Sequence, residues 1–207
     1  MQRYGSIEMI VGSMFSGKTE ELLRRIRLAK IARKSVLVFK PKIDDRYHAT
    51  NVTSHDANST ESIAVSQSLE ILGYINPTVQ VVGIDETQFF DRALIEVVES
   101  LADSGIRVIL GGLDTDWKGQ PFGIVPHLMA IAESVSKQTA ICMVCGDPAH
   151  RTQRIGGSDH QIEVGETDKY EARCRRHFIP KIDVPYSEKI KESREHEVAK
   201  NHPQIEL

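Results

Sequence analysis

With 207 residues, 40% of them hydrophobic, the chain is long enough for one good core plus an appendage, and the main domain needs neither metal nor disulfide to fold. A formal net charge of −3 supplies no field for nucleic acid or a membrane surface, so neither is expected as a partner. No apolar run approaches the length of a membrane span, the first strand starts too early to leave room for a signal peptide, and three cysteines cannot pair completely, all of which points to the cytoplasm.

The first predicted strand covers residues 7–11. It runs into Gly12-Ser13-Met14-Phe15-Ser16-Gly17-Lys18-Thr19, the pattern G-x-x-x-x-G-K-[ST]. The glycines let the backbone curl its N–H groups around phosphate oxygens, and the helix predicted over residues 18–33 adds the positive end of its dipole. Lys18 then reaches the β and γ phosphates and Thr19 offers its hydroxyl to Mg²⁺, so the motif implies a nucleoside triphosphate with its metal. A glycine turn that only caps a helix is the plain alternative, and strand, full motif and helix together outweigh it.

A second strand is predicted over 35–40. Residues 41–62 are polar without sustained periodicity and read as a loop or hairpin. There Arg46 is in reach of a phosphate if it is not merely solvated. A buried strand over 79–84 ends on Asp85-Glu86, which suits Asp85 to hold Mg²⁺ and Glu86 to accept a proton; spacing alone does not decide which acid is the base. A helix over 92–102, a strand over 107–111 and a helix over 126–136 complete the alternation. Trp117 lies in the glycine- and proline-bearing stretch after the fourth strand, as core packing or as a wall against a planar ligand. His55 and His127 have no inferred partner. Strands alternating with amphipathic helices predict an α/β fold, a P-loop NTPase-like parallel sheet with flanking helices.

Composition changes after residue 140. Cys142-Met143-Val144-Cys145 is answered by Cys174-Arg175-Arg176-His177, two short half-sites of the kind that grip a tetrahedral ion. A structural Zn²⁺ on Cys142, Cys145, Cys174 and His177 is expected; a redox C-x-x-C leaves the second half-site unexplained. The domains expected are thus residues 1–138 for the nucleotide, 139–180 for zinc, and 181–207 as a charged, solvated or disordered tail.

Together, the Gly12–Thr19 motif, Asp85-Glu86-Thr87-Gln88-Phe89-Phe90, Leu113-Asp114 with Pro121-Phe122-Gly123, and the Cys142, Cys145, Cys174, His177 set resemble the zinc-bearing, P-loop type of thymidine kinase. The resemblance implies transfer of the ATP γ-phosphate to the 5′-hydroxyl of thymidine, with deoxyuridine also accepted. It makes Glu86 the proton acceptor, assisted by Lys18 and Arg46. ATP is then bound by the residues of the loop from Gly12 to Thr19, by Asp44 and Arg46 of a D-x-R motif, and by Asp85, Glu86, Thr87 and Gln88. The resemblance places Met14, Phe89, Leu113, Trp117, Thr152 and Tyr170 around the nucleoside. It gives Gln161, Ile162, Glu163, Val164 and Gly165 to a lasso-like loop of the zinc domain that reads the base through backbone groups. A homotetramer is implied as well.

The chain departs from the family pattern in three places. Trp117 stands where phenylalanine is usual, Glu166 where a small residue is usual, and His177 where some relatives have a fourth cysteine. Two other functions compete on the residues alone: a P-loop ATPase of the motor or switch class, and a zinc module that binds nucleotide as a regulatory ligand.

Overall fold

The computed structural model describes residues 4–42, 51–53, 59–156, 169–179 and 187–201. In chain order the elements are β1 (Ser6–Val11), α1 (Lys18–Ile31), β2 (Val36–Pro41), β3 (Asn51–Thr53), β4 (Ser59–Glu61), β5 (Ile63–Val65), β6 (Val81–Ile84), α2 (Leu94–Asp103), β7 (Arg107–Gly112), α3 (Val125–Ile131), β8 (Ser134–Lys137), β9 (Ala140–Ile141), β10 (Pro148–Ala149), β11 (Arg151–Arg154), β12 (Tyr170–Arg173) and α4 (Ser187–Asn201). They fall into two compact units. The first comprises residues 1–11, 17–114 and 122–137; the second comprises residues 12–16, 115–121 and 138–207.

The first unit is a six-stranded sheet in the order β5-β2-β6-β7-β1-β8, parallel at every pairing. Alternation along the strands sorts side chains to two cores. Ile7, Met9 and Val11 of β1 join Leu94, Val97, Val98 and Leu101 of α2 on one face. Ile10 joins Leu22, Leu23, Ile26 and Ala29 of α1 on the other. A sheet buried on both faces explains the nearly unbroken apolar runs of β6 and β7. The strand order also leaves only β7 between β1, which feeds the glycine loop, and β6, which feeds Asp85-Glu86.

The second unit is built from short pieces: the antiparallel pairs β9–β10 and β11–β12, and a small core of Ala140, Cys142, Ala149, Ala172 and Cys174. The loop residues 12–16 and the segment 115–121 belong to it by their contacts, although they interrupt the first unit in sequence.

Two expectations change. The helix foreseen to residue 136 stops at Ile131, and residues 134–137 form β8 alongside β1; this edge strand reads Ser-Val-Ser-Lys and is mostly exposed, so it carries no apolar run. Within the polar stretch, β3 and β4 pair as a hairpin, one of the two forms expected there. The tail contains α4, where a solvated or disordered segment was expected. Glu, Lys, Arg and Ala favour helix without needing an apolar face, and Arg194 donates from α4 to the Phe178 carbonyl at 2.6 Å.

Candidate active site and zinc cluster

Gly12 and Gly17 shape the loop. Their φ angles of 148° and 79° lie where side chains are strained, and a Cβ on Gly12 would stand 2.6 Å from the Gln138 carbonyl oxygen. The Ser16 hydroxyl donates to the Ser13 carbonyl at 2.7 Å, and the Met14 N–H donates to Thr152 Oγ1 at 3.0 Å. At the far end the Gly17 carbonyl accepts from Glu21 N–H at 3.0 Å, so α1 begins immediately and carries Lys18 and Thr19 on its first turn.

β6 delivers the acids. Asp85 is buried; its Oδ2 accepts from Thr19 Oγ1 at 3.1 Å and its Oδ1 from Glu86 N–H at 2.9 Å. Burial and the adjacent Glu86 carboxylate push Asp85 up to about 7, against the Glu86 N–H, the Thr19 hydroxyl and Lys18. Burial pulls Lys18 below the ordinary lysine range, and Glu86, Asp85, Asp114 and Glu20 pull it back. A cation among carboxylates is suited to exchange them for phosphate oxygens.

Glu86 adopts the left-handed conformation, φ 53°, which costs a side-chain-bearing residue about 1–2 kcal/mol. Gln88 holds it: the Gln88 amide donates to Glu86 Oε2, while Gln88 Oε1 accepts from Leu113 N–H at 3.0 Å. The Thr87 hydroxyl donates to the Gly111 carbonyl at 3.0 Å. The turn after β6 is therefore tied to the end of β7, which keeps the Glu86 carboxylate in one orientation.

The first unit holds ion pairs that the sequence did not announce, one of them between Lys137 and Asp114. Lys137 Nζ lies 2.5 Å from Oδ2 of the buried Asp114. In register, Val11 is flanked by Gly112 on β7 and Lys137 on β8, so the pair spans the strand that leads into the loop. Phe89 is half-buried and meets Phe122 edge-on, with ring centroids 6.0 Å apart.

In the second unit the sulfur and ring-nitrogen atoms of Cys142, Cys145, Cys174 and His177 all lie within 4.8 Å of one another. Cys145 Sγ and Cys174 Sγ are 3.9 Å apart, and His177 Nδ1 is 3.3 Å from Cys174 Sγ and 3.7 Å from Cys142 Sγ. Zn–S bonds of about 2.3 Å in a tetrahedron require S···S edges of about 3.8 Å, so the four groups fit a zinc ion. Burial pushes the Cys142 thiol up, but N–H groups of Cys174, Val144 and Cys145 and the His177 ring outweigh it and bring it to about 6. Cys145 goes the other way, to about 12, by burial and its thiol neighbours. Zinc binds thiolates, so metal binding at this cluster is coupled to proton release.

Trp117, Thr152 and Tyr170 are all buried in this unit. Arg154 meets both aromatic rings, although sequence reasoning passed over it. Alternation along β11 puts Arg154 on the same face as Thr152, which was the available signal. His127 is exposed. Asp44, Arg46, His55, residues 161–165 and Glu166 lie outside the described residues.

A family model described as thymidine kinase matches residues 5–178. The chain belongs to the thymidine kinase family. It is 56% identical over 181 residues to a thymidine kinase of Bdellovibrio bacteriovorus, an alignment covering 87% of this chain and 89% of that one. Among solved structures, domain III of the Thermotoga maritima replication initiation protein DnaA is matched at a TM-score of 0.39 and 17% identity, over 66% of this chain and 55% of that one. That likeness is too slight to add to the fold.

Proposed function

We infer that this enzyme transfers the γ-phosphate of ATP to the 5′-hydroxyl of thymidine, giving dTMP for pyrimidine deoxynucleotide salvage, and that it also accepts deoxyuridine. The observation that carries the reading is the bonded series Thr19–Asp85–Glu86–Gln88 beside Lys18, within a chain matched by the thymidine kinase family over residues 5–178.

In this reading Glu86 takes the 5′-hydroxyl proton as the 5′-oxygen bonds to the γ-phosphorus, and the bond from that phosphorus to the β–γ bridging oxygen breaks to leave ADP. Gln88 keeps the Glu86 carboxylate aimed. The N–H groups of the loop, Lys18 and Arg46 offset charge on the phosphates, and Asp44 of the same D-x-R motif joins them at the ATP. Mg²⁺ brought with ATP neutralises charge on the transferring group, and Thr19 and Asp85 would hold it. Phe89, Leu113, Met14, Trp117, Thr152 and Tyr170 bound the nucleoside, and residues 161–165 read the base through main-chain groups. Zn²⁺ supplies folding energy, and with four protein ligands it leaves no site for reactive water.

Among the described residues no helix is long and apolar enough to cross a membrane. We place the enzyme in the cytoplasm as a homotetramer, after the family pattern. Incubation with ATP and a panel of deoxynucleosides tests the function. Phosphorylated thymidine is the expected product; free phosphate independent of nucleoside would mark an ATPase instead.

A further inference from the structure

The guanidinium of Arg154 sits against both aromatic side chains assigned to the base in the second unit. Its central carbon lies 4.3 Å from the Trp117 ring centroid and 5.2 Å from that of Tyr170, and its Nη2 donates to the Tyr170 hydroxyl at 2.6 Å. The backbone sets up the Tyr170 contact, because Arg154 on β11 and Tyr170 on β12 are direct cross-strand partners. The Trp117 contact is prepared by a tight turn. The buried Asp116 carboxylate accepts from the N–H groups of Lys118 and Gln120, each at 2.9 Å, and Asp116 N–H donates to the Gln120 carbonyl at 2.8 Å. Lys118 Nζ also approaches the indole, 5.1 Å from its centroid.

We propose that Arg154 is a positioning and specificity-determining residue, whose planar guanidinium fixes the spacing of Trp117 and Tyr170 and thereby the width of the slot for the pyrimidine base. The inference rests on the thymidine kinase reading above. A planar cation suits the task because it stacks on an indole face while donating along its edge to a phenol; lysine supplies the charge without the plane. Loss of the guanidinium removes the donor from the Tyr170 hydroxyl and one support from the indole, so both rings relax and contact with the base loosens. The reacting groups Lys18, Asp85 and Glu86 lie in the other unit and are unaltered by the substitution.

The test compares Arg154→Met and Arg154→Lys with the parent enzyme. Arg154→Met should raise KM for thymidine about tenfold while kcat stays within about twofold and KM for ATP is unchanged. The preference for thymidine over deoxyuridines with bulky 5-substituents should narrow, and Arg154→Lys should fall between. Trp117 is the sole tryptophan, so its fluorescence reports the contact: thymidine should perturb emission less in Arg154→Met than in the parent. Should Arg154→Met fail to fold, Arg154→Lys and Tyr170→Phe, singly and combined, carry the test, with effects on thymidine KM that are not additive. Unchanged thymidine KM, selectivity and emission response in the folded variants would overturn the role of Arg154. A parent enzyme that does not phosphorylate thymidine would instead overturn the underlying function.

Discussion

The hydroxyl of Thr19 reaches Oδ2 of Asp85 at 3.1 Å, joining the first turn of α1 to the end of β6. Two oxygen donors held this close suit a hard divalent cation, one through the hydroxyl and one directly or through water. Asp85→Asn should therefore raise the Mg²⁺ concentration needed for half-maximal activity by about tenfold or more. A Mg²⁺ titration at saturating ATP measures this, and an unshifted midpoint would remove Asp85 from the metal site.

Glu86→Gln should keep ATP and thymidine binding while lowering kcat by about 10²–10⁴-fold, because the shape stays and the proton acceptor goes. Calorimetric affinities alongside turnover check it. Gln88→Met, which removes the donor to Glu86 Oε2 and the acceptor for the Leu113 N–H, should lower kcat by about tenfold with Glu86 still present.

The parts of this site that were legible in the sequence are local ones. The glycine loop and Asp85-Glu86 each combine a contiguous motif with a flanking apolar strand, and periodicity carries that signal directly. The cysteine–histidine cluster was legible from two short intervals. What escaped depends on partners far apart in the chain: Asp114 with Lys137, and Arg154 with Trp117, are ordinary residues until the fold joins them. β8 escaped because an exposed edge strand needs no hydrophobic run, and α4 because a charged helix has no apolar stripe to betray it.

Protein purified without chelator should contain one zinc per chain, and Cys174→Ser should lose it together with ordered structure around Cys142, Cys145 and His177. Elemental analysis and hydrogen exchange across those residues check this. Activity should fall with the metal although the zinc touches no reacting atom.

Stability should depend on acid through Glu21 and Glu8. Arg24 hydrogen-bonds Glu21 and, with Arg25, brings it down to about 2 against the effect of burial. Burial pushes the Glu8 carboxyl up, but Arg107 and Arg25 more than offset it, so it too is lowered. A carboxyl lowered on folding stabilises the native state above its unfolded pKa, and for Glu21 that benefit fades from about pH 4.5 down to about 2. Glu21→Gln should melt about 2 °C below the parent at pH 7, with the gap narrowing below about pH 4.5 and closing toward about pH 2. A gap independent of pH would mean that packing, not charge, is what Glu21 supplies.

The proposed recognition of a thymine-type base by a slot lined with main-chain groups is tested most directly by the specificity constants for thymidine, deoxyuridine and deoxycytidine. Thymidine and deoxyuridine share O2, N3–H and O4, whereas deoxycytidine reverses donor and acceptor at N3 and C4. A backbone carbonyl that accepts from N3–H would face a bare acceptor in cytosine and leave a buried polar pair unsatisfied. Thymidine should exceed deoxyuridine by only about tenfold, the worth of one buried methyl, and should exceed deoxycytidine by a factor on the order of 10⁴. Efficient phosphorylation of deoxycytidine would contradict the account.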